Sequence, residues 1–193
     1  HLASIEAVFE RSWNLLTVQE QKAYAQLAVF ESGFTFEAAI DVAEIDIQML
    51  RTLIDKSLLW SDSEGRFSFH ELLRQYAIQK QKIFGRVDEL HKRHYSYYLQ
   101  YVIAHTADLK GKKPLVFSLA IDEDFLNVQI AWKRASQSND TQIIRQASEG
   151  LFLFALVSER LSEVIDLFDF ALNSMPTNEL PNTTGELLFA YQL

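Results

Sequence analysis

The stretch from residue 53 to residue 77 constrains the fold more than any other part of this chain. It places a short apolar run, residues 58–60, before a cluster of turn residues in which Gly65 can adopt a positive φ angle. Residues 66–70 then alternate polar and aromatic side chains, which is the period of a half-buried strand. Helical spacing resumes directly afterwards. The pattern predicts one β-hairpin between two helices.

The residues before this hairpin have the periodicity of helices. Helices are predicted to begin after Thr17, which forms a capping box with Glu20, after Thr35 and after Asp46. Several short helices followed by a hairpin "wing" and a further helix are typical of a winged helix-turn-helix domain. The alternative is a two-stranded hairpin that decorates an ordinary helical domain.

Composition supports a mainly α fold. Pro and Gly are scarce, at 3 and 6 of 193 residues, which favours helices over a β-sandwich. There is no cysteine, so a disulfide framework and a thiolate site are excluded. No apolar run reaches the roughly 20 residues of a membrane span. The net charge of −8 is a poor match for nucleic acid or an anionic membrane, so neither is predicted as a direct partner. We expect a cytoplasmic location.

The chain after the hairpin is predicted to be helical to its end. The domain boundary is expected near Gly85, which gives a winged-helix domain at 1–85 and an α-helical region at 86–193. A nearly continuous helix from Ile78 to Leu109 is the alternative at this boundary. Because the first residue is His1 rather than Met, we interpret the sequence as a piece of a longer protein, with its helical region truncated.

Four separated blocks in the first half resemble one known family. In order they read VFERSWNLLTVQEQ, LAVFESGFTFEAAIDV, LIDKSLL and RFSFHELLRQYA. They are similar to the winged-helix segment of STAND signal-transduction ATPases, bacterial regulators with an NB-ARC-like nucleotide-binding core. The resemblance covers about residues 3–82. It implies a parent protein that binds ADP or ATP in a domain preceding this segment, and the nucleotide-binding domain as an internal partner.

The same resemblance points to His70. In the family, the histidine of a Met-His-Asp motif reaches the β-phosphate of ADP and helps to hold the inactive state. Here Phe69 stands in place of Met, and Glu71 in place of Asp. The resemblance implies that His70 senses nucleotide in the parent, with Glu71 and Arg74 as supporting candidates. From the residues alone, the alternative is that His70 caps the following helix.

The second half has a weaker counterpart. The segment DEDFLNVQIAW at residues 122–132 resembles the helix that opens the superhelical sensor region of these regulators. Phe168, Ala171 and Pro176 have the spacing of the second half of a tetratricopeptide repeat. The resemblance implies a solenoid of tetratricopeptide-like helical repeats that binds a protein or a small-molecule inducer. The truncated end is predicted to leave Leu187, Leu188 and Phe189 partly exposed.

No catalytic, cofactor or metal site is predicted in this segment. Residues 111–113 are the nearest approach to a phosphate-binding loop, but Thr106 stands where its first Gly belongs and Lys113 where Ser or Thr belongs. His91 and His94 have no further ligands in a zinc pattern. The acidic residues 122–124 are interpreted as the first turn of a helix. We therefore predict that the segment is not an enzyme.

The function predicted from the sequence is regulation. We expect a segment of a STAND-type ATPase or transcriptional regulator that couples the nucleotide state to a helical sensor. The alternative is a DNA-binding winged-helix transcription factor with a helical effector domain. In that alternative, residues 47–55 would enter the major groove, but they carry only Arg51, with Lys56 beyond, against Asp46 and Asp55.

The sequence also predicts which side chains of the hairpin region form its core. Trp60, Phe67 and Phe69 alternate along the two strands and are expected to pack inward rather than form a stacking platform for a ligand. Leu72 and Leu73 are expected to be buried at the start of the next helix, where they would hold the junction beside His70.

Overall fold

A computed structural model of the protein describes residues 10–175. This part of the chain is mainly helical and contains a two-stranded antiparallel hairpin, which confirms the predicted fold class. Residues 10–14 are helical. The elements that follow are α1 (Val18–Leu27), α2 (Phe36–Ala43), α3 (Ile47–Asp55), β1 (Leu59–Ser61), β2 (Phe67–Phe69), α4 (Glu71–Phe84), α5 (Val87–Leu109), α6 (Pro114–Glu123), α7 (Phe125–Gln137), α8 (Thr141–Ser158) and α9 (Leu161–Ser174).

The chain forms two compact units that divide between His94 and Tyr95, within α5. The predicted domain assignment, 1–85 and 86–193, stays a prediction. Between α4 and α5 the backbone leaves the helical region at Gly85 and Arg86, whose φ angles are 66° and 56°. A continuous helix from Ile78 to Leu109 therefore does not occur.

Helices α1, α2 and α3 begin where their capping residues predict. The Thr17 hydroxyl accepts the Glu20 backbone N–H at 3.3 Å, and the Glu20 carboxylate accepts the Thr17 N–H at 2.7 Å, which completes the capping box. Thr35 caps α2 at 3.2 Å and Asp46 caps α3 at 2.9 Å in the same way. Each cap satisfies a backbone N–H that has no partner inside its helix.

The hydrophobic core of the first unit lies between α1, α2, α3 and the hairpin. Its central rings are Phe30 and Phe34, which stack with centroids 4.4 Å apart and are fully buried. Other large side chains of this unit that are at most 2% exposed include Tyr24, Leu27, Leu50 and Leu53. Burial of such side chains contributes about 1.5–3 kcal/mol each, so this cluster provides much of the unit's stability.

The wing consists of β1, β2 and the turn between them. Leu59 pairs with Phe69 and Ser61 with Phe67. The Asp62 carboxylate holds the turn, because its Oδ1 accepts the backbone N–H of Glu64 and of Arg66, both at 2.9 Å. An isolated bridge between Phe34 and Phe67, with N–O distances of 2.9 and 2.8 Å, ties the wing to the segment before α2.

Two predictions about side chains near the wing are wrong. Trp60 is 55% exposed, because it alternates with Leu59 and so lies on the opposite face of the hairpin from the core. Phe67 is buried as expected, and Phe69 is half-buried with its ring 5.1 Å from that of Tyr24. Leu72 is 37% exposed, since α4 instead buries the face that carries Arg74, Ala77 and Gln81; Leu73 is half-buried.

The described residues of the second unit, 95–175, form an array of helices. Helix α6 packs on α8, and α9 packs on both α7 and α8. Phe168 and Ala171 are buried, as the repeat spacing predicts, while Pro176 and the predicted exposed residues Leu187, Leu188 and Phe189 lie outside the described residues. The tetratricopeptide character of the array stays a prediction. Fully buried side chains of this unit include Leu99, Val102, Ile121, Val128, Trp132, Ile144, Leu151 and Phe154.

At Gly150, α8 lies against Val102 and Thr106 of α5. A Cβ atom at this position would lie 2.9 Å from the Val102 carbonyl oxygen and 3.0 Å from Val102 Cγ1, and still closer to the Thr106 hydroxyl. Real Cβ atoms are not found this close to backbone, so a side chain here would push the two helices apart.

Gly150→Ala should therefore destabilise the second unit by about 1–2 kcal/mol. Overpacking costs about 1–3 kcal/mol, which exceeds the gain of about 1 kcal/mol in helix propensity. Urea denaturation followed by circular dichroism measures the change. Gln146→Ala, at an exposed position of the same helix, should change stability by less than about 0.5 kcal/mol. A stabilised Gly150→Ala variant would show that the close approach is absent in solution.

The described part of the chain shows neither a membrane-spanning helix nor a cluster of metal ligands. Between residues 10 and 175, no helix combines the length and apolarity needed to cross a membrane. Over the same range, no group of three or more His, Asp or Glu side chains is placed to hold a metal ion.

Candidate functional site

The candidate site is the junction at which β2 ends and α4 begins. His70 is the N-cap residue of α4, with φ −71° and ψ 130°, and its carbonyl accepts the backbone N–H of Leu73 and Arg74 at 2.9 and 3.0 Å. The imidazole makes no capping hydrogen bond, and the residue is exposed. The His70 side chain therefore does not cap α4, contrary to the alternative interpretation of the sequence. The ring is presented to solvent.

Glu71 occupies the first turn of α4 beside His70. Its carboxylate accepts hydrogen bonds from Arg74 Nε at 3.3 Å and from Gln75 Nε2 at 3.0 Å. Partial burial acts to raise the pKa of Glu71, but the hydrogen bonds from Arg74 and Gln75 outweigh it and leave the pKa below its ordinary value. The carboxylate is therefore ionised at neutral pH, near the positive end of the helix dipole.

Arg74 lies one turn further along α4 and is only 8% exposed. Its guanidinium donates to the Phe30 carbonyl at 3.2 Å and to both carboxylate oxygens of Glu31, at 3.1 and 2.9 Å, in addition to Glu71. This forked geometry suits the planar guanidinium. Arg74 thus anchors α4 to the segment that follows α1, and its donors are turned inward.

Further polar contacts along α4 complete this anchoring. Buried Gln81 donates from Nε2 to the Ala25 carbonyl at 2.9 Å. Lys80 Nζ lies 3.1 Å from Glu10, whose carboxylate also accepts the Tyr76 hydroxyl. Hydrogen bonds from Tyr76 and Lys80 lower the pKa of Glu10. Sequence reasoning missed these contacts, because each joins residues that are far apart in the chain.

The outer face of α3 is the second surface that the sequence singles out. Gln48, Arg51 and Asp55 are exposed there. Lys56, just beyond the helix, pairs with Glu20 at 2.8 Å, and the Asp46 carboxylate caps the helix. Arg51 is therefore the basic side chain that α3 itself presents, and acidic residues stand at both ends of the helix.

The structure thus brings the three predicted site residues together but gives them different surroundings. His70 is exposed, Glu71 is exposed and hydrogen-bonded, and Arg74 is buried in a salt-bridged cluster. One imidazole at a helix N-terminus can donate a hydrogen bond to an anionic group.

The chain is similar to bacterial proteins named as regulators. It is 31% identical over 156 residues to proteins of Mycobacterium tuberculosis and Mycobacterium bovis that carry the provisional name HTH-type transcriptional regulator; the match covers 75% of this chain and 18% of each relative. It is 33% identical over 79 residues to the Regulatory protein AfsR of Streptomyces coelicolor, covering 38% of this chain and 8% of that protein.

The chain spans less than a fifth of the length of the relatives it matches. No family model matches the chain. No solved structure matches it. The relatives' names are those of regulators rather than of enzymes, and the matched segment is a small part of each of these proteins.

Proposed function

We propose that this chain is the winged-helix and helical-array segment of a larger, nucleotide-responsive transcriptional regulator. The relatives' names support the regulatory role. The observation that carries the proposal is His70, whose imidazole is exposed at the N-terminus of a firmly anchored helix and is not used for capping. Such a ring is positioned to report on a group outside the winged helix.

In this proposal His70 contacts a phosphate of ADP held by the parent's nucleotide-binding domain. The junction suits a phosphate edge, because an imidazole donor lies at the positive end of a helix dipole. The carboxylate of Glu71 beside the imidazole would repel a phosphate. The junction therefore offers only one or two favourable contacts. The remaining contacts must come from the parent's own nucleotide-binding residues, and ADP or ATP would supply the signal.

The energy of one such contact is sufficient for a switch. A hydrogen bond from an imidazole N–H to an ionised phosphate is worth about 1.5–3 kcal/mol. A contact made in only one of two states shifts their equilibrium by that amount, which is about tenfold or more. The helical array would then bind the inducer, either a protein or a small molecule, and bias the same equilibrium from a second site.

His70→Ala in the full-length regulator is therefore expected to reduce ADP retention about tenfold and to raise basal transcription. Bound nucleotide after purification and a reporter assay measure the two effects. Because the imidazole does not cap α4, the free energy of unfolding should change by less than about 0.5 kcal/mol. Gln79→Ala, an exposed residue on the same helix, is the matched control. Unchanged ADP retention would contradict the proposal.

A second function, DNA recognition by α3, is favoured by the helix-turn-helix name of the relatives and by the exposed pair Gln48 and Arg51. Against it, residues 1–85 carry eight Lys and Arg against twelve Asp and Glu. Arg51→Ala separates the two functions. If α3 binds DNA, this variant weakens binding of the regulator to its operator DNA in a mobility-shift assay. If the segment only senses nucleotide through His70, the variant leaves operator binding unchanged.

A further inference from the structure

Helix α6 presents an apolar face to solvent. Leu115, Val116 and Leu119 are 59%, 57% and 58% exposed, while the same helix buries Ser118 and Ile121. At about 100° per residue, the three exposed side chains fall within an arc of roughly 100° on the side away from the buried residues. Exposing three large aliphatic side chains while burying a serine reverses the usual pattern, and it marks an interaction surface.

Charged residues of opposite sign frame this face. Lys112 and Lys113 are exposed just before α6, and Glu123 is exposed at its last position. Glu123 falls within the same arc as Leu115 and Leu119, because eight residues make slightly more than two helical turns. The face is therefore basic at one end, apolar in the middle and acidic at the other end.

The α6 face is complementary to the same face of a second copy. If two α6 helices pair antiparallel about a two-fold axis between residues 117 and 118, the N-terminal end of each copy lies beside the C-terminal end of the other. This brings Lys112, two residues before the helix, to the end at which the other copy carries Glu123. The same register places Val116 opposite Leu119. A two-fold contact repeats each pairing twice, so one register satisfies both the charges and the apolar side chains.

We propose that a second copy of this chain docks on the α6 face and forms a two-fold symmetric dimer. An anionic membrane is disfavoured because Glu123 lies on the face and the chain carries a net charge of −8. A purely acidic or purely basic partner would meet a like charge at one end. The proposal is independent of nucleotide sensing by His70.

The dimer should be weak. Three aliphatic side chains on a ten-residue helix make a smaller contact than the roughly 1,600 Å² of a standard interface, and interfaces of that size bind with micromolar to picomolar affinity. We expect a dissociation constant of about 10 µM or weaker. Sedimentation velocity on the whole 193-residue chain over a concentration series measures it.

The first test removes the apolar contact. Leu119→Asp should raise the dissociation constant at least about tenfold, since it places a charge at the centre of the interface. Ile83→Asp, at an aliphatic residue of α4 that is 67% exposed, is the matched control and should leave the dimer unchanged. Circular dichroism checks the fold, and Leu119→Ser replaces the aspartate variant if that variant unfolds.

The second test fixes the register. K112E and E123K should each weaken the dimer about fivefold, because each puts like charges together at both ends. An equimolar mixture of the two variants should regain dimerisation, since each charge then meets its opposite in the mixed dimer. A chain that stays monomeric at every concentration, a dimer indifferent to Leu119→Asp, or a mixture that dimerises no better than either variant alone would each overturn the proposal.

Discussion

Trp132→Ala is expected to lower the free energy of unfolding of the second unit by about 3–5 kcal/mol. Trp132 is fully buried, and its ring lies 5.2 Å from that of Phe168. Its indole Nε1 donates to the Leu167 carbonyl at 2.7 Å. The side chain therefore joins α7 to α9 through both packing and a hydrogen bond, and alanine removes both contacts and leaves a cavity.

Trp132→Phe separates the two contributions. Phenylalanine keeps most of the apolar volume and removes the donor, so we expect a loss of about 1–2 kcal/mol. Urea denaturation followed by circular dichroism gives the free energies, and hydrogen exchange shows where protection is lost. Exchange should rise in α7 and α9 and stay unchanged in α1–α3. A loss below about 1 kcal/mol for alanine would mean that α9 does not pack on Trp132 in solution.

The elements that the sequence predicts correctly are those encoded by neighbouring residues. The caps of α1, α2 and α3 each depend on one side chain and a backbone N–H three residues away, as in the pair Thr17 and Glu20. The wing is predictable for the same reason. Asp62 and Gly65 form the hydrogen bonds of its turn with groups no more than four positions away. Local rules are sufficient for features of this kind.

The features that the sequence does not predict depend on contacts between distant residues. The buried face of α4 is set by Arg74 and Gln81, which reach the carbonyls of Phe30 and Ala25, 44 and 56 positions away. Hydrophobic periodicity instead favours Leu72, because it treats polar side chains as exposed. No pattern in a single sequence indicates that a buried arginine will find its acceptors.

The candidate site shows the same division. The position of His70 at the strand-to-helix junction follows from the alternation before it and the helical spacing after it. The surroundings of Arg74 do not, since Glu31 belongs to a separate segment. The α6 face is a further feature that the sequence does not predict. Leu115, Val116 and Leu119 are exposed, although apolar side chains of these types are usually buried.

Arg74→Ala should destabilise the first unit by about 2–3 kcal/mol. Removing one member of a buried ion pair costs about 3–5 kcal/mol. We expect a smaller loss of stability here, because the side chains of Glu31 and Glu71 are 34% and 59% exposed and water can solvate them once Arg74 is removed. The Phe30 carbonyl also loses a donor. Thermal and urea unfolding of the chain, with hydrogen exchange to localise the loss to α4, measure the effect.

Arg74→Lys is the matched variant for the forked geometry. Lysine keeps the charge but cannot donate to Phe30 and to both oxygens of Glu31 at once, so about 1–2 kcal/mol should still be lost. Together with His70→Ala, these variants separate anchoring from sensing. If Arg74 anchors α4, ADP retention in the full-length regulator should fall only in step with stability. If Arg74→Ala reduces ADP retention while the free energy of unfolding stays unchanged, the guanidinium contacts the nucleotide directly and its inward salt bridges are not its main role.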